Sequence, residues 1–162
     1  MSVTLYGESP GILWQPVSPR LAVARRVGTL AGAVPTLAAA AVVAVLWTRW
    51  AWIAFGLLAL GLVIELAIIG RQVSAISYAE LPDEIIIRRG RLMRRLDSIP
   101  YGRLQYADMQ SGPMERRLGL ASVTIHTANP ATSGNVPGLP LAEAEALRER
   151  LTARGEAQRA GL

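Results

Sequence analysis

VGTLAGAVPTLAAAAVVAVLWTRWAWIAFGLLALGLVIELAII, residues 27–69, is the stretch on which the fold turns. Its first twenty residues, 27–46, carry no charge, and the nineteen from 51 to 69 carry one, Glu65. As a helix, an apolar run of ~20 residues matches a hydrocarbon layer ~30 Å thick. A helix buried in a soluble protein is seldom apolar on every side over such a length. Only Trp47, Thr48, Arg49 and Trp50 separate the runs. So short a link dictates an antiparallel hairpin, and tryptophan suits a membrane–water interface. The first run begins at residue 27 and exceeds an apolar signal core, which argues against a cleaved signal peptide.

The flanks orient the hairpin. Arg20, Arg25 and Arg26 precede it, Arg71, Arg88 and Arg89 follow it, and the connecting loop has only Arg49. Positive charge near spans stays on the cytoplasmic side, so both termini are expected there. The expected organisation is a cytoplasmic segment over 1–26 and a transmembrane hairpin over 27–70, with spans 27–46 and 51–69. A linker over 71–76, a small domain over 77–152 and a flexible tail over 153–162 follow.

Within the first span Gly28, Gly32, Thr36, Ala40 and Ala44 recur every four residues. Such a stripe lets another helix approach closely, either the second span or a helix of another chain. Pro35 removes one ladder bond and is expected to bend the helix. Glu65 is the one ionisable group inside a span. It lies four residues from the end of its run, about 6 Å along the axis. The expectation is a structural pairing with Arg25 or Arg26 or a reach to the interface. A transport role is the alternative.

Composition agrees with a small domain joined to a membrane segment. Of 162 residues 51% are hydrophobic and 18% charged, below the ~25% usual in soluble domains. The net charge is +5 and all 17 cations are arginine, which favours anionic surfaces. The absence of cysteine excludes disulfides, thiolate metal sites and cysteine nucleophiles.

Beyond residue 76 the periodicity changes. Residues 84–89 (EIIIRR) have strand composition, Gly90 marks a hairpin turn, and 91–96 reads as the return strand. SIPYG punctuates the chain, and 103–109 reads as a third strand. Residues 120–128 (LASVTIHTA) alternate as a half-buried strand does. A loop over 129–135 and a short extended piece at 136–139 follow. Leu141, Ala144, Leu147 and Leu151 then form one face of a closing helix that starts beside Pro140. Strand faces need a cover, and that helix can supply it.

LPDEIIIRRGRLMRR, SIPYGRLQ, RRLGLASVTIHTA and GLPLAEAEALRERL, with LWQPVSPRL upstream, together resemble the bacterial pleckstrin-homology-like (PH-like) membrane proteins of the second type. The resemblance covers about residues 14–151. It implies an α+β membrane protein: a two-helix hairpin, then a curved antiparallel sheet or partial barrel capped by a C-terminal helix. It implies a bacterial plasma-membrane location and supplies no catalytic residue. Some family members occur beside a larger relative carrying several such domains. Eukaryotic PH domains often bind phosphoinositides through basic residues of the first hairpin loop, and RRGR lies in a comparable hairpin. Ile99, Pro100, Tyr101, Gly102 and Gly119 are read as architectural.

Catalytic constellations are sparse. His126 is the sole histidine, so a three-histidine zinc site cannot form within one chain, and no HExxH, GxSxG or P-loop pattern is present. His126 is expected to face solvent or a hydrogen-bond partner. The reading is no enzyme, no metal and no cofactor.

The arginines Arg88, Arg89, Arg91, Arg94, Arg95 and Arg103 are the candidate lipid- or partner-binding residues. Near an anionic inner leaflet each contributes ~1 kcal/mol. Arg88 and Arg89 fall on opposite strand faces, as do Arg94 and Arg95, so roughly three or four act together. A second reading is protein docking, including strand addition. Nucleic acid is disfavoured, because only Tyr101 and Tyr106 interleave with the arginines. The expected function is a non-enzymatic, membrane-anchored interaction module, an adaptor or subunit of an inner-membrane complex. Its partner is expected to be a membrane protein, a larger PH-like relative or a second copy. An anionic-lipid sensor is the alternative, and a transporter accessory involving Glu65 the third.

Overall fold

The computed structural model describes residues 12–46, 50–90, 94–129 and 132–160. Two long helices come first: α1, Arg20–Leu46, and α2, Ala51–Val73. Both are long and apolar enough to cross a membrane. Each exceeds its expected span. Helix α1 starts seven residues earlier because its first turns are anchored: Leu21 and Ala24 are buried. Helix α2 runs on to Val73, which is also buried. The expected linker shrinks to Ser74–Ile76, and even there the Ser74, Ala75 and Ile76 amides donate to carbonyls of the last helical turn.

Two antiparallel sheets follow the hairpin. The first has the order β1-β2-β3-β4, and the second β5-β6-β7. Strand β1, Gln15–Pro16, lies before the hairpin and pairs with β2, Ser77–Glu80, just after it. Sequence reading missed β1, since two residues display no alternation. The proline suits an edge strand, where no ladder donor is needed on the open side. Strand β3, Glu84–Arg89, pairs with β4, Arg95–Pro100, with Ile85 opposite Ile99. Gly90, at φ +83°, starts the connection. SIP therefore belongs to a strand, and the expected punctuation narrows to a 3-10 turn at Tyr101–Arg103.

Strand β5, Leu104–Gln110, leads to a short helix α3, Pro113–Arg117. Strands β6, Leu120–Thr127, and β7, Gly134–Pro140, complete the second sheet. Helix α4, Leu141–Ala160, closes the domain. It passes beyond the expected boundary at 152, because Gly155 is buried where α4 crosses β5. A Cβ there would lie 3.1 Å from Leu104 Cδ2. The expected flexible tail is thus helical through Ala160. Leu141, expected on the buried face, is exposed, and the row runs through Ala144, Leu147, Leu151 and Gly155.

The core joins all these parts. Ile85, Ile87 and Ile99 of the first sheet meet Val123, Ile125 and Val136 of the second, with Leu147 and Leu151 of α4 across them. The sheets press together at Gly134, where a Cβ would collide with Ile99 and Ile87. Val17 and Leu21 from one side of the hairpin, and Val73 and Ile76 from the other, belong to the same core. The hairpin is therefore an insertion between two adjacent strands of one α+β domain.

Candidate functional site

The connections give the domain two ends. At the hairpin end the Val17 amide donates to the Ile76 carbonyl, and the Ser18 amide donates to that of Gly138 at 3.0 Å. Helix α3 packs beside α1 there. Because the strands are antiparallel, β3 and β7 end at this face, while β2 and β6 run away from it. Arg20, Arg71, Arg88, Arg94, Arg116 and Arg117 thus gather at the hairpin end. Glu115, the acid of α3, accepts from the Gly112 amide at 3.1 Å and the Ser122 hydroxyl at 3.3 Å.

The structure separates the five described residues among the six candidate arginines. Arg88 and Arg94, with Ser74, Ala75 and Gly90, line a cleft of about 240 Å³ beside the end of α2. The Arg88 guanidinium lies 4.5 Å from the centre of the Trp14 ring, and its Nε donates to Ser77 Oγ at 3.2 Å. Arg89 points the other way and donates to the Asn135 carbonyl, tying β3 to β7. Arg95 is exposed and held by Asp97 at 2.7 Å. That hydrogen bond, and then the Asp97 charge, raise its pKa. Arg103 sits at the opposite end, lining a cleft of about 580 Å³ with Thr127, Thr132 and Arg159. Arg91 lies outside the described residues.

Sequence reading missed Arg116 and Arg117. Nothing local in SGPMERRLG, residues 111–119, links that segment to the helical hairpin. It also missed Trp14 as a platform for Arg88. The only local signal was the proximity of both to apolar flanks.

Between α1 and α2, Gly28, Gly32 and Thr36 face Leu58, Gly61 and Glu65 across a groove of about 610 Å³. Ala44 is buried and Ala40 half-buried, whereas Gly28, Gly32 and Thr36 are exposed. Among the described residues, a Cβ on Gly28, Gly32 or Gly61 would meet nothing within 4 Å. The stripe is therefore not sealed against α2 along its length. The expected pairing of Glu65 with Arg25 or Arg26 is also absent among the described residues. The Arg26 guanidinium lies over Gly70 instead, its Nη2 2.9 Å from the position of a Cβ. Gly70 is five residues from Glu65, about 7.5 Å nearer the helix end, so Arg26 crosses α2 more than a turn short of the carboxyl.

Other polar groups fasten the fold. Arg150 bridges Glu80 at 2.8 Å and Glu143 at 3.0 Å, and the Tyr78 hydroxyl donates to Glu143 at 3.3 Å. Arg154 donates to Tyr101 Oη at 2.7 Å and to the Leu81 carbonyl at 3.2 Å. Together they hold α4 against β2 and the 3-10 turn. Burial, then the Glu143 charge, raises the Tyr78 pKa, and burial raises that of Tyr101 against the pull of Arg154. On the outer face of β5 and β6, His126 stacks on Tyr106 at 4.4 Å, and its Nε2 is 3.7 Å from Asp108. No group of three potential metal ligands occurs among the described residues. Strand β5 is the terminal strand of its sheet. Beside it Tyr106, Arg148, Thr152 and Glu156 line a cleft of about 470 Å³.

A family model described as the bacterial PH domain matches residues 22–155. The match takes in α1 from its third residue, all of α2, strands β2 to β7 and most of α4. No curated protein and no solved structure matches the chain.

Proposed function

The chain belongs to the bacterial PH domain family, a family of binding modules, and on that premise we propose that it is a non-enzymatic interaction module anchored in the plasma membrane. The observation that carries the anchor is the shared core. Leu21 and Val73, at the two ends of the apolar hairpin, pack among the strand residues. A hairpin inserted in this way holds the domain against the bilayer surface with no free tether. The arginines flanking the hairpin, against Arg49 alone in its loop, favour a cytoplasmic domain. The terminal strand β5 and the cleft beside α4 offer a partner segment an edge and a side-chain groove. The partner is a membrane protein, a larger relative or a second copy, and the module acts as its adaptor.

The absence of native cysteine makes the topology directly testable. Thr48→Cys is expected to react with an impermeant maleimide in intact cells. Thr124→Cys is expected to react only after the membrane is opened. The reverse pattern would invert the orientation, and equal reaction of both would remove the membrane anchor.

A second reading has its own observation. The hairpin end collects Arg20, Arg71, Arg88, Arg94, Arg116 and Arg117, and Arg88 with Arg94 opens a cleft there. Such a face contacts anionic lipid phosphates with ~1 kcal/mol per arginine near the surface. It orients the module on the leaflet, and it is compatible with the adaptor role.

A further inference from the structure

We propose that the groove between α1 and α2 is the docking site for one transmembrane helix of a different protein, carrying a lysine or arginine at the depth of Glu65. The proposal rests on the membrane reading above.

Two independent observations carry it. The first is the glycines. In a helix glycine is less favourable than alanine, so a glycine commonly marks a close approach. Gly134, Gly138 and Gly155 each have such a neighbour within the chain. Gly28, Gly32 and Gly61 do not: a Cβ there meets nothing within 4 Å among the described residues, although all three line the same groove of about 610 Å³. None of the described residues uses the missing Cβ, whereas an approaching helix backbone would. The second is Glu65, whose carboxyl opens on that groove with no ion pair among the described residues. A carboxylate facing hydrocarbon is costly, and a cation at the same depth offsets that cost.

Charge complementarity also selects the occupant. The apolar runs of a second copy, residues 27–46 and 51–69, hold no cation and one ionisable group, again Glu65. Two carboxylates in one groove repel. A partner helix with a basic residue satisfies both the shape and the charge.

The test uses the full chain in phosphatidylcholine bilayers with fluorescent synthetic helices of leucine and alanine. One helix has a single lysine at the depth of Glu65, and its control has leucine there. Energy transfer is expected to report binding of the lysine helix roughly threefold to thirtyfold tighter than the control, the range of one interhelical polar contact. Glu65→Gln is expected to shrink that preference. Gly32→Leu with Gly61→Leu is expected to abolish binding of both helices. A Cβ at either position meets nothing within 4 Å among the described residues, so the helical circular dichroism should be unchanged. Equal binding of both helices by the native chain would overturn the charge assignment. Self-association of the chain that the leucines abolish would reassign the groove to a second copy. Extraction of the chain from bilayers by alkaline carbonate would sink the membrane reading itself, a failure distinct from an embedded chain indifferent to lysine.

Discussion

Leu21, in the first turn of α1, lies directly on Gly138 of β7. A Cβ at Gly138 would come within 2.7 Å of Leu21 Cβ, and the glycine sits at φ +66°. One contact thus joins the helix that leads into the hairpin to the last strand of the second sheet. Gly138→Ala would introduce both backbone strain and a collision. The expected loss is about 2–4 kcal/mol, measured as thermal stability of the full chain in detergent. Gly119→Ala separates the two causes. Gly119 has φ +68° but open space around it, so about 1–2 kcal/mol is expected there. Equal losses at the two positions would remove the Leu21 contact from the account.

The domain is expected to fail without the segments that flank the hairpin. Val17, Leu21, Val73 and Ile76 are each 2–6% exposed and belong to the common core. Burying four such side chains contributes about 6–12 kcal/mol as an upper estimate. A whole domain is stable by about 5–15 kcal/mol. A chain of residues 77–162 should therefore lack a cooperative thermal transition. A chain joining residues 12–24 to 71–160 through a short linker should regain one, as followed by near-ultraviolet circular dichroism. Cooperative melting of the shorter chain would show that the sheets and α4 suffice.

Alkaline pH is expected to loosen α4. The Tyr78 pKa is raised above the ordinary ~10 by burial and by Glu143, and that of Tyr101 by burial. The unfolded chain then loses these protons first. Their contribution is fully present below about pH 10 and is lost as pH rises beyond it. Melting temperature should fall above pH 10, and Tyr78→Phe should lessen that slope while costing about 1 kcal/mol at neutral pH. An unchanged slope in Tyr78→Phe would assign the alkaline loss to other groups.

Arg150 should matter more than a surface cation. Glu80, whose side chain is 11% exposed, receives it at 2.8 Å. Arg150→Ala leaves that carboxylate with Arg154 at 3.5 Å. Because Arg150 is itself 39% exposed, solvent softens the loss to about 1–2 kcal/mol. Arg95→Ala, at an exposed pair, should leave stability nearly unchanged. Parallel denaturant titrations compare the two, and similar costs would argue against the α4 clamp.

Anionic lipid should act on the hairpin end alone. In phosphatidylglycerol nanodiscs the native chain is expected to melt higher than in phosphatidylcholine, and high salt should erase the difference. Replacing Arg94, Arg116 and Arg117 by glutamine should reduce it by about 1 kcal/mol per residue. Arg103→Gln, at the far end, should leave it unchanged. An equal effect of Arg103→Gln would mean that net charge, and not this face, is read by the lipid.

Sequence alone determined the elements whose cause is local. Residues 27–69 read as a hairpin because charge is nearly absent over two helical lengths. Strands β3 and β6 and helix α4 were legible because alternation or a helical apolar row persists over several residues. Tertiary structure decided the rest. Gln15 pairs with Tyr78 across the whole hairpin, and a two-residue strand leaves no periodic mark to announce it. The extension of α4 past residue 152 depends on Leu104 lying under Gly155, a contact that helix propensity cannot foresee. The arginines of RRGRLMRR look alike in sequence. Arg89 became a sheet-to-sheet tie, Arg95 an exposed ion pair, and Arg88 with Arg94 the wall of a cleft. An arginine's role is set by the groups around its guanidinium, and those come from β7, β4 and the end of α2, brought together only when the chain folds.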